Sequence, residues 1–277
     1  MTILKQILNF YINSSIHVAL AVFSMSWITL KDFNLPYDAN VLYFIFYASI
    51  TGYNFVKYFG MAKFHHRSLT AWLKLIQMFS LVCFILMCYY GLKLQEKTML
   101  YIAGFGLITF LYAIPFLPNR LFVDEQNNLR SITGLKVYVI ALVWSGVTVF
   151  LPLLNANYPI GEDVIITGLQ RFVFVIMLML PFEIRDLRYD SLRLSTIPQQ
   201  IGIKGTKIMG VLLGVLCFVL EFFKNEIQPG EVMALLVTTL ILILFLMFSK
   251  KEQGKYYCSF WVEGLPILWL FFYLAIN

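Results

Sequence analysis

Charge is what this sequence has least of. Lys, Arg, Asp and Glu make up 13% of its 277 residues, about half the share found in an ordinary soluble domain. So few charges cannot clothe a water-facing surface, which excludes a soluble globular chain. Histidine numbers 3 and cysteine 4, none at metal-ligand spacing. His65 and His66 are neighbours in a basic loop, and adjacent residues rarely converge on one ion. Cys83, Cys88, Cys217 and Cys258 lie in or at the edge of apolar runs, as expected of buried free thiols. Walker, dinucleotide-binding and zinc-protease motifs are absent. Nothing in the composition divides the chain, so residues 1–277 are expected to form a single membrane domain with no soluble domain.

What the sequence has in quantity is apolar length. Hydrophobic residues are 60% of the total and the mean hydropathy is +0.78. Stretches of roughly 20 apolar residues, the length that crosses a bilayer as a helix, fall near residues 7–30, 40–60, 71–92, 98–117, 133–154, 164–184, 206–223, 231–249 and 258–276. The expected fold is therefore all-α, a multi-pass bundle of about nine transmembrane helices. The first stretch is too long for a signal peptide, carries Asn13, Ser14, Ser15 and His17, and lacks a clear small-residue cleavage site. It is expected to be a mature helix.

Orientation follows from lysine and arginine, which concentrate on the cytoplasmic side of membrane proteins. With the N-terminus inside, 16 of the 21 basic residues fall on the inner segments, 4 on the outer ones and Arg171 within a span. This implies a cytoplasmic N-terminus and active face, with the C-terminus outside. The net charge of +6 then belongs to the inner face, where it suits anionic headgroups and anionic substrates and gives no reason to invoke nucleic acid.

Against this apolar background the stretch 183–202, "EIRDLRYDSLRLSTIPQQIG", is anomalous, with six charges in its first eleven residues. If the sixth helix runs on through it, Asp186 lies about −60° and Asp190 about −20° around the axis from Glu183. The three carboxylates then share one stripe, with Arg185 and Arg188 on the opposite side. Like charges so spaced repel, and more so near lipid. A cation with oxygen ligands, such as Mg²⁺ shared with substrate phosphates, would relieve the repulsion. The plainer reading is a juxtamembrane charge cluster. Against it stand the segregation of the acids from those two arginines and Pro198, which is expected to stop the helix in a defined turn.

"RDLRYDSLRLSTIPQQIG" resembles the second aspartate motif of the UbiA-type intramembrane prenyltransferases, D-x-x-x-D followed by a Thr-Leu-Pro-like turn and a glycine. Asp186 and Asp190 match the aspartates, Glu183 an acidic position three residues earlier, and Thr196, Pro198 and Gly202 the turn. The resemblance implies that Glu183, Asp186 and Asp190 hold Mg²⁺. It also implies a prenyl diphosphate as substrate, its tail in an apolar aromatic chamber in the bilayer, and prenylation of an acceptor that the sequence does not specify.

The partner motif of that family, N-D-x-x-D-x-x-x-D on the second helix, is degenerate here. Asn54 matches the asparagine, but Phe55, Tyr58 and Ala62 stand where acids belong, and no acid occurs between Asp38 and Glu96. Lys57 lies one turn from Asn54. Three roles are open to it: a fixed cation that contacts the diphosphate in place of a metal, a counter-ion that closes the carboxylate site, or a lysine that snorkels to the inner surface. Tyr112 and Arg120 loosely match a tyrosine-then-basic pattern near the diphosphate. With Asn54, Lys57 and Arg185 they complete the candidate substrate contacts, and Asp186, Asp190 and Lys57 are the candidate catalytic residues.

The expected activity is transfer, or cyclisation, of an isoprenyl group from a prenyl diphosphate with release of pyrophosphate. The alternative is a degenerate member that binds an isoprenoid lipid or supports a partner enzyme. A transporter is disfavoured because the polar groups gather at one end of the spans rather than at the midplane.

Overall fold

A chain this apolar must satisfy its backbone groups without water, and in lipid a helix does so within a single segment. The computed structural model describes residues 3–64, 71–113, 134–188 and 195–276, and among them every regular element is helical. In chain order these are α1 (Ile3–Asn13), α2 (Ile16–Asp32), α3 (Ala39–Phe64), α4 (Ala71–Gly91), α5 (Glu96–Ala113), α6 (Leu135–Ser145), α7 (Leu151–Asn155), α8 (Glu162–Asp186), α9 (Ile197–Leu220), α10 (Pro229–Phe248) and α11 (Leu265–Ile276). Six described segments are long and apolar enough to cross a membrane, and α1 with α2 makes a seventh, bent by 56°. The other two expected spans coincide with α3 and α5. The chain is a multi-pass integral membrane protein.

Local sequence explains the irregularities. The α1–α2 bend falls at Ser14 and Ser15, where Ser15 takes the left-handed conformation at φ 64°. A π-helical turn over Gly146–Phe150 joins α6 to α7, so the three form one span, and another over Tyr257–Val262 leads into α11. The expectation for Pro198 needs correcting. It does not end a helix but sits in the first turn of α9, where its missing N–H has no intrahelical partner to lose. Gln199 secures that start by accepting the Thr196 N–H at 2.9 Å. The chain breaks instead at Gly202, where φ +71° interrupts α9, a conformation open to glycine.

α8 is the most buried of the spans, packing on α6, α9 and α10, while α2 lies between α3 and α11. Met25, Ile28, Phe174 and Met177 fill the space between them. Lipid tails are as apolar as leucine, so close packing rather than escape from water holds such helices together. Gly210 on α9 shows this: a Cβ there would lie 2.9 Å from the Leu180 side chain on α8. By contrast α4 turns most of its surface outward, and this corrects the expectation for Cys88, which is exposed while the other three thiols are buried.

The end of the bundle that holds the start of α8 contains a buried polar network. Arg171 on α8 is 2% exposed and lies 4.7 Å from the Trp269 ring centroid. Its guanidinium faces Asp32 and Glu221. Glu221 accepts from Gln170 at 2.8 Å and pairs with Lys224 at 2.8 Å. Tyr273 donates to Glu231 at 2.9 Å. The groups come from α2, α8, the end of α9, α10 and α11, so opposed charges tie five segments where lipid would penalise any one of them alone.

Candidate functional site

The opposite end gathers the C-terminus of α8, the start of α6 and the approach to α11. α8 remains helical through Asp186, which places Glu183 and Asp186 one turn apart on one face. α6 begins after Gly134, held at φ +69°, and Lys136 in its first turn reaches across to α8. The Lys136 ammonium lies 3.1 Å from Glu183 Oε1 and 3.4 Å from Asp186 Oδ2. Glu183 is 2% exposed, whereas the side chain of Asp186 is 20% exposed. Arg185 closes the cluster with Nη2 at 2.8 Å from Asp186 Oδ1.

Two of these contacts correct the helical-wheel expectation. Arg185 was placed opposite the acids, but its side chain is long enough to fold back onto Asp186 while its guanidinium lies 5.2 Å from the Phe182 ring centroid. The lysine set between the carboxylates is Lys136, which in the sequence reads only as one of many inner-face basic residues. Asp190, and with it the last position of the acid stripe, lies outside the described residues, as does Arg120. Tyr112 lies within α5.

α3 supplies Asn54 and Lys57. The expected exposure of Asn54 to a diphosphate also needs correcting, because its amide is already engaged on both sides. Nδ2 donates to Ser14 O at 3.0 Å and to Ser80 Oγ at 2.7 Å, and Oδ1 accepts from Ser15 Oγ at 2.8 Å. Asn54 is buried and pins the α1–α2 bend to α3 and α4. Lys57 is exposed and donates to Ser15 Oγ at 2.8 Å. The carboxylate that acts on its charge is Glu263, which also faces Arg185. Glu263, rather than Asp186, is thus the counter-charge of Lys57.

The positions where acids would complete the first motif have structural uses. Phe55 stacks on Phe110 of α5 at 6.4 Å between centroids, and Tyr58 donates to Asn13 O at 3.0 Å beside the bend. Both would serve poorly as acids, since each packs against an apolar or backbone partner.

Lys136 and Glu263 were missed from sequence, and each carries a signal. Lys136 opens a span whose start shares a membrane level with Asp186. Glu263 sits inside the apolar run 258–276, and an ionisable residue within a span is itself a functional flag.

Among the described residues no three His, Cys, Asp or Glu groups come together in a way that could hold a metal ion. Glu183 and Asp186 meet ammonium and guanidinium groups instead, two carboxylates against two cations. Asp190, the third acid of the expected Mg²⁺ set, lies outside the described residues.

No protein-family model matches the chain, and no curated protein matches it significantly. Among solved structures it is similar to one described as giving structural and mechanistic insights into the biosynthesis of digeranylgeranylglyceryl phosphate synthase in membranes. The TM-score is 0.57 and the identity 14%, over 98% of each chain. At that identity the likeness is one of fold, and it extends from end to end.

Proposed function

We propose that the chain is a membrane-embedded prenyltransferase of the UbiA type, which takes an isoprenyl group from a prenyl diphosphate and releases pyrophosphate. The observation that carries this reading is the coincidence of two features. The fold is like that of a structure described as a digeranylgeranylglyceryl phosphate synthase, and the α8 end that bears the aspartate motif is also where Lys136 and Arg185 assemble.

A diphosphate entering there meets fixed cations. Lys136 and Arg185 are 22% and 33% exposed at their side chains, enough to reach an anion while remaining anchored to Glu183 and Asp186. Lys57 approaches from α3. Charge-assisted contacts of this kind are short and strong, and they matter most as the bond from carbon to the bridging oxygen breaks and negative charge collects on the departing pyrophosphate. The allylic carbon is then attacked by an acceptor or by an alkene of the same chain. Asp186 orients the two cations. Mg²⁺ on Glu183, Asp186 and Asp190, as the motif implies, is not used in any of these steps.

The second reading, a degenerate member that binds an isoprenoid diphosphate without turnover, is favoured by one specific feature. The first motif is replaced by Asn54, Phe55 and Tyr58, all committed to packing or hydrogen bonding. Purified protein offered prenyl diphosphates of several lengths, with pyrophosphate release and binding followed in parallel, separates the two. Release supports the transferase, binding without release supports the second reading, and neither would remove both.

A further inference from the structure

We propose that Lys136 takes the place of the divalent metal, so that anionic diphosphate binding at this site needs no metal ion. This rests on the diphosphate reading above and specifies its chemistry. The Lys136 ammonium lies 3.1 Å and 3.4 Å from carboxylate oxygens of Glu183 and Asp186, the position from which one cation serves both acids. Arg185 lies 2.8 Å from the other oxygen of Asp186, so both described acids already meet a fixed cation. A divalent ion added between Glu183 and Asp186 would put two further positive charges against the ammonium and guanidinium that already pair with them.

Burial gives the lysine its electrostatic role. Glu183 is 2% exposed, and an ionised carboxylate so placed needs a partner of opposite charge. A site that filled and emptied with a free ion would leave two acids facing each other whenever it stood empty. Lys136 is covalently present and removes that cost. The same substitution of charge runs through the rest of the site. On α3 the acids that would bind a second metal are missing, and a lysine, Lys57, stands one turn from Asn54, donating to Ser15 at 2.8 Å.

The test uses the full chain in detergent with two probes, Mn²⁺ followed by its electron paramagnetic resonance signal and geranylgeranyl thiolodiphosphate followed by calorimetry. The wild type is expected to take up no stoichiometric Mn²⁺, and EDTA is expected to change its affinity for the thiolodiphosphate by less than about twofold. Lys136→Met removes the ammonium that Glu183 and Asp186 share. It is expected to gain one Mn²⁺ site, and its thiolodiphosphate affinity should fall about tenfold or more in EDTA and recover with metal. Stoichiometric Mn²⁺ on the wild type that Asp186→Asn abolishes, loss of wild-type thiolodiphosphate binding in EDTA, or a folded Lys136→Met protein that takes no Mn²⁺ would each overturn the proposal. If Lys136→Met does not fold, the wild-type arms decide alone. Absence of thiolodiphosphate binding under every metal condition would sink the diphosphate reading, while the Mn²⁺ titrations would still decide the role of Lys136.

Discussion

Ser15 and Asn54, separated by 39 positions in the chain, meet in a buried hydrogen bond of 2.8 Å. Ser15 occupies the left-handed turn that bends α1 away from α2, so the bond fixes the bend at the one residue whose conformation creates it. Because Ser15 Oγ also accepts from Lys57, the same serine holds a cation at the bend. The bend is thus a structural feature with a consequence for binding.

Asn54→Ala is expected to lower stability by about 1–3 kcal/mol, the cost of leaving buried partners unsatisfied. The Ser14 carbonyl and the Ser15 and Ser80 hydroxyls would each lose a partner. Thermal unfolding in detergent measures it, and a melting temperature within about a degree of wild type would contradict it.

Lys57 and Glu263 should act on diphosphate affinity with opposite signs. Lys57→Met removes one cation and is expected to weaken binding about ten- to a hundredfold, the worth of a charge-assisted contact. Glu263→Gln removes the carboxylate that faces both Lys57 and Arg185, so affinity should rise by about two- to tenfold. Calorimetry with a thiolodiphosphate reads both. Changes of the same sign would show that Glu263 is scaffolding for Lys57 and not a competitor of the ligand.

Much of this protein was legible in its sequence because bilayer thickness imposes a single length scale. All nine apolar stretches correspond to helical segments, and the acid-rich foot of α8 marked the candidate site. The errors have a common cause. Helical periodicity fixes where a Cβ points, but Lys and Arg carry their charge several bonds further. Arg185 could therefore return to Asp186, and Lys136 could cross from α6, without any trace in the spacing. Asn54 misled for a different reason. An asparagine on an inner helix end has the same sequence signature whether it binds a ligand or a neighbouring turn, and only the bend at Ser15 distinguishes them. Pro198 could be read as the end of one helix or the first turn of the next, and the capping contact from Gln199 selects the second.

Glu183 and Asp186 share Lys136, yet their variants should differ because burial differs. Glu183→Gln leaves a neutral amide in a 2%-exposed position and is expected to cost about 1.5–3 kcal/mol, with Asp186 still compensating the lysine. Asp186 is partly open to solvent, so Asp186→Asn should cost less than about 1 kcal/mol. It should still depress pyrophosphate release about tenfold or more, because Arg185 loses its ion-pair partner Asp186 and Lys136 keeps only Glu183. Chemical denaturation and pyrophosphate release, measured on the same preparations, would reveal the split. Equal losses of stability would argue against it.

The last prediction concerns Arg171, which lies far from the candidate site. It is 2% exposed, stacked at 4.7 Å on Trp269, and faces the carboxylates of Asp32 and Glu221. Its hydrogen bonds to Met25 O and Thr29 Oγ1 are long at 3.4 Å, so charge and ring contact dominate. Arg171→Met keeps the length but removes the charge, leaving acids from α2 and the end of α9 short of a partner. Breaking one side of such a buried arrangement costs about 3–5 kcal/mol, enough to unfold a marginal membrane protein. Arg171→Lys restores the charge but neither the planar stack on Trp269 nor the forked donor geometry. It should therefore recover only part of the loss, roughly half by the size of a desolvated ring contact of about 2 kcal/mol. Denaturant unfolding of the three proteins gives the order wild type, Arg171→Lys, Arg171→Met. A lysine variant as stable as wild type would show that charge alone is needed, and a stable methionine variant would show that the network compensates itself through Lys224.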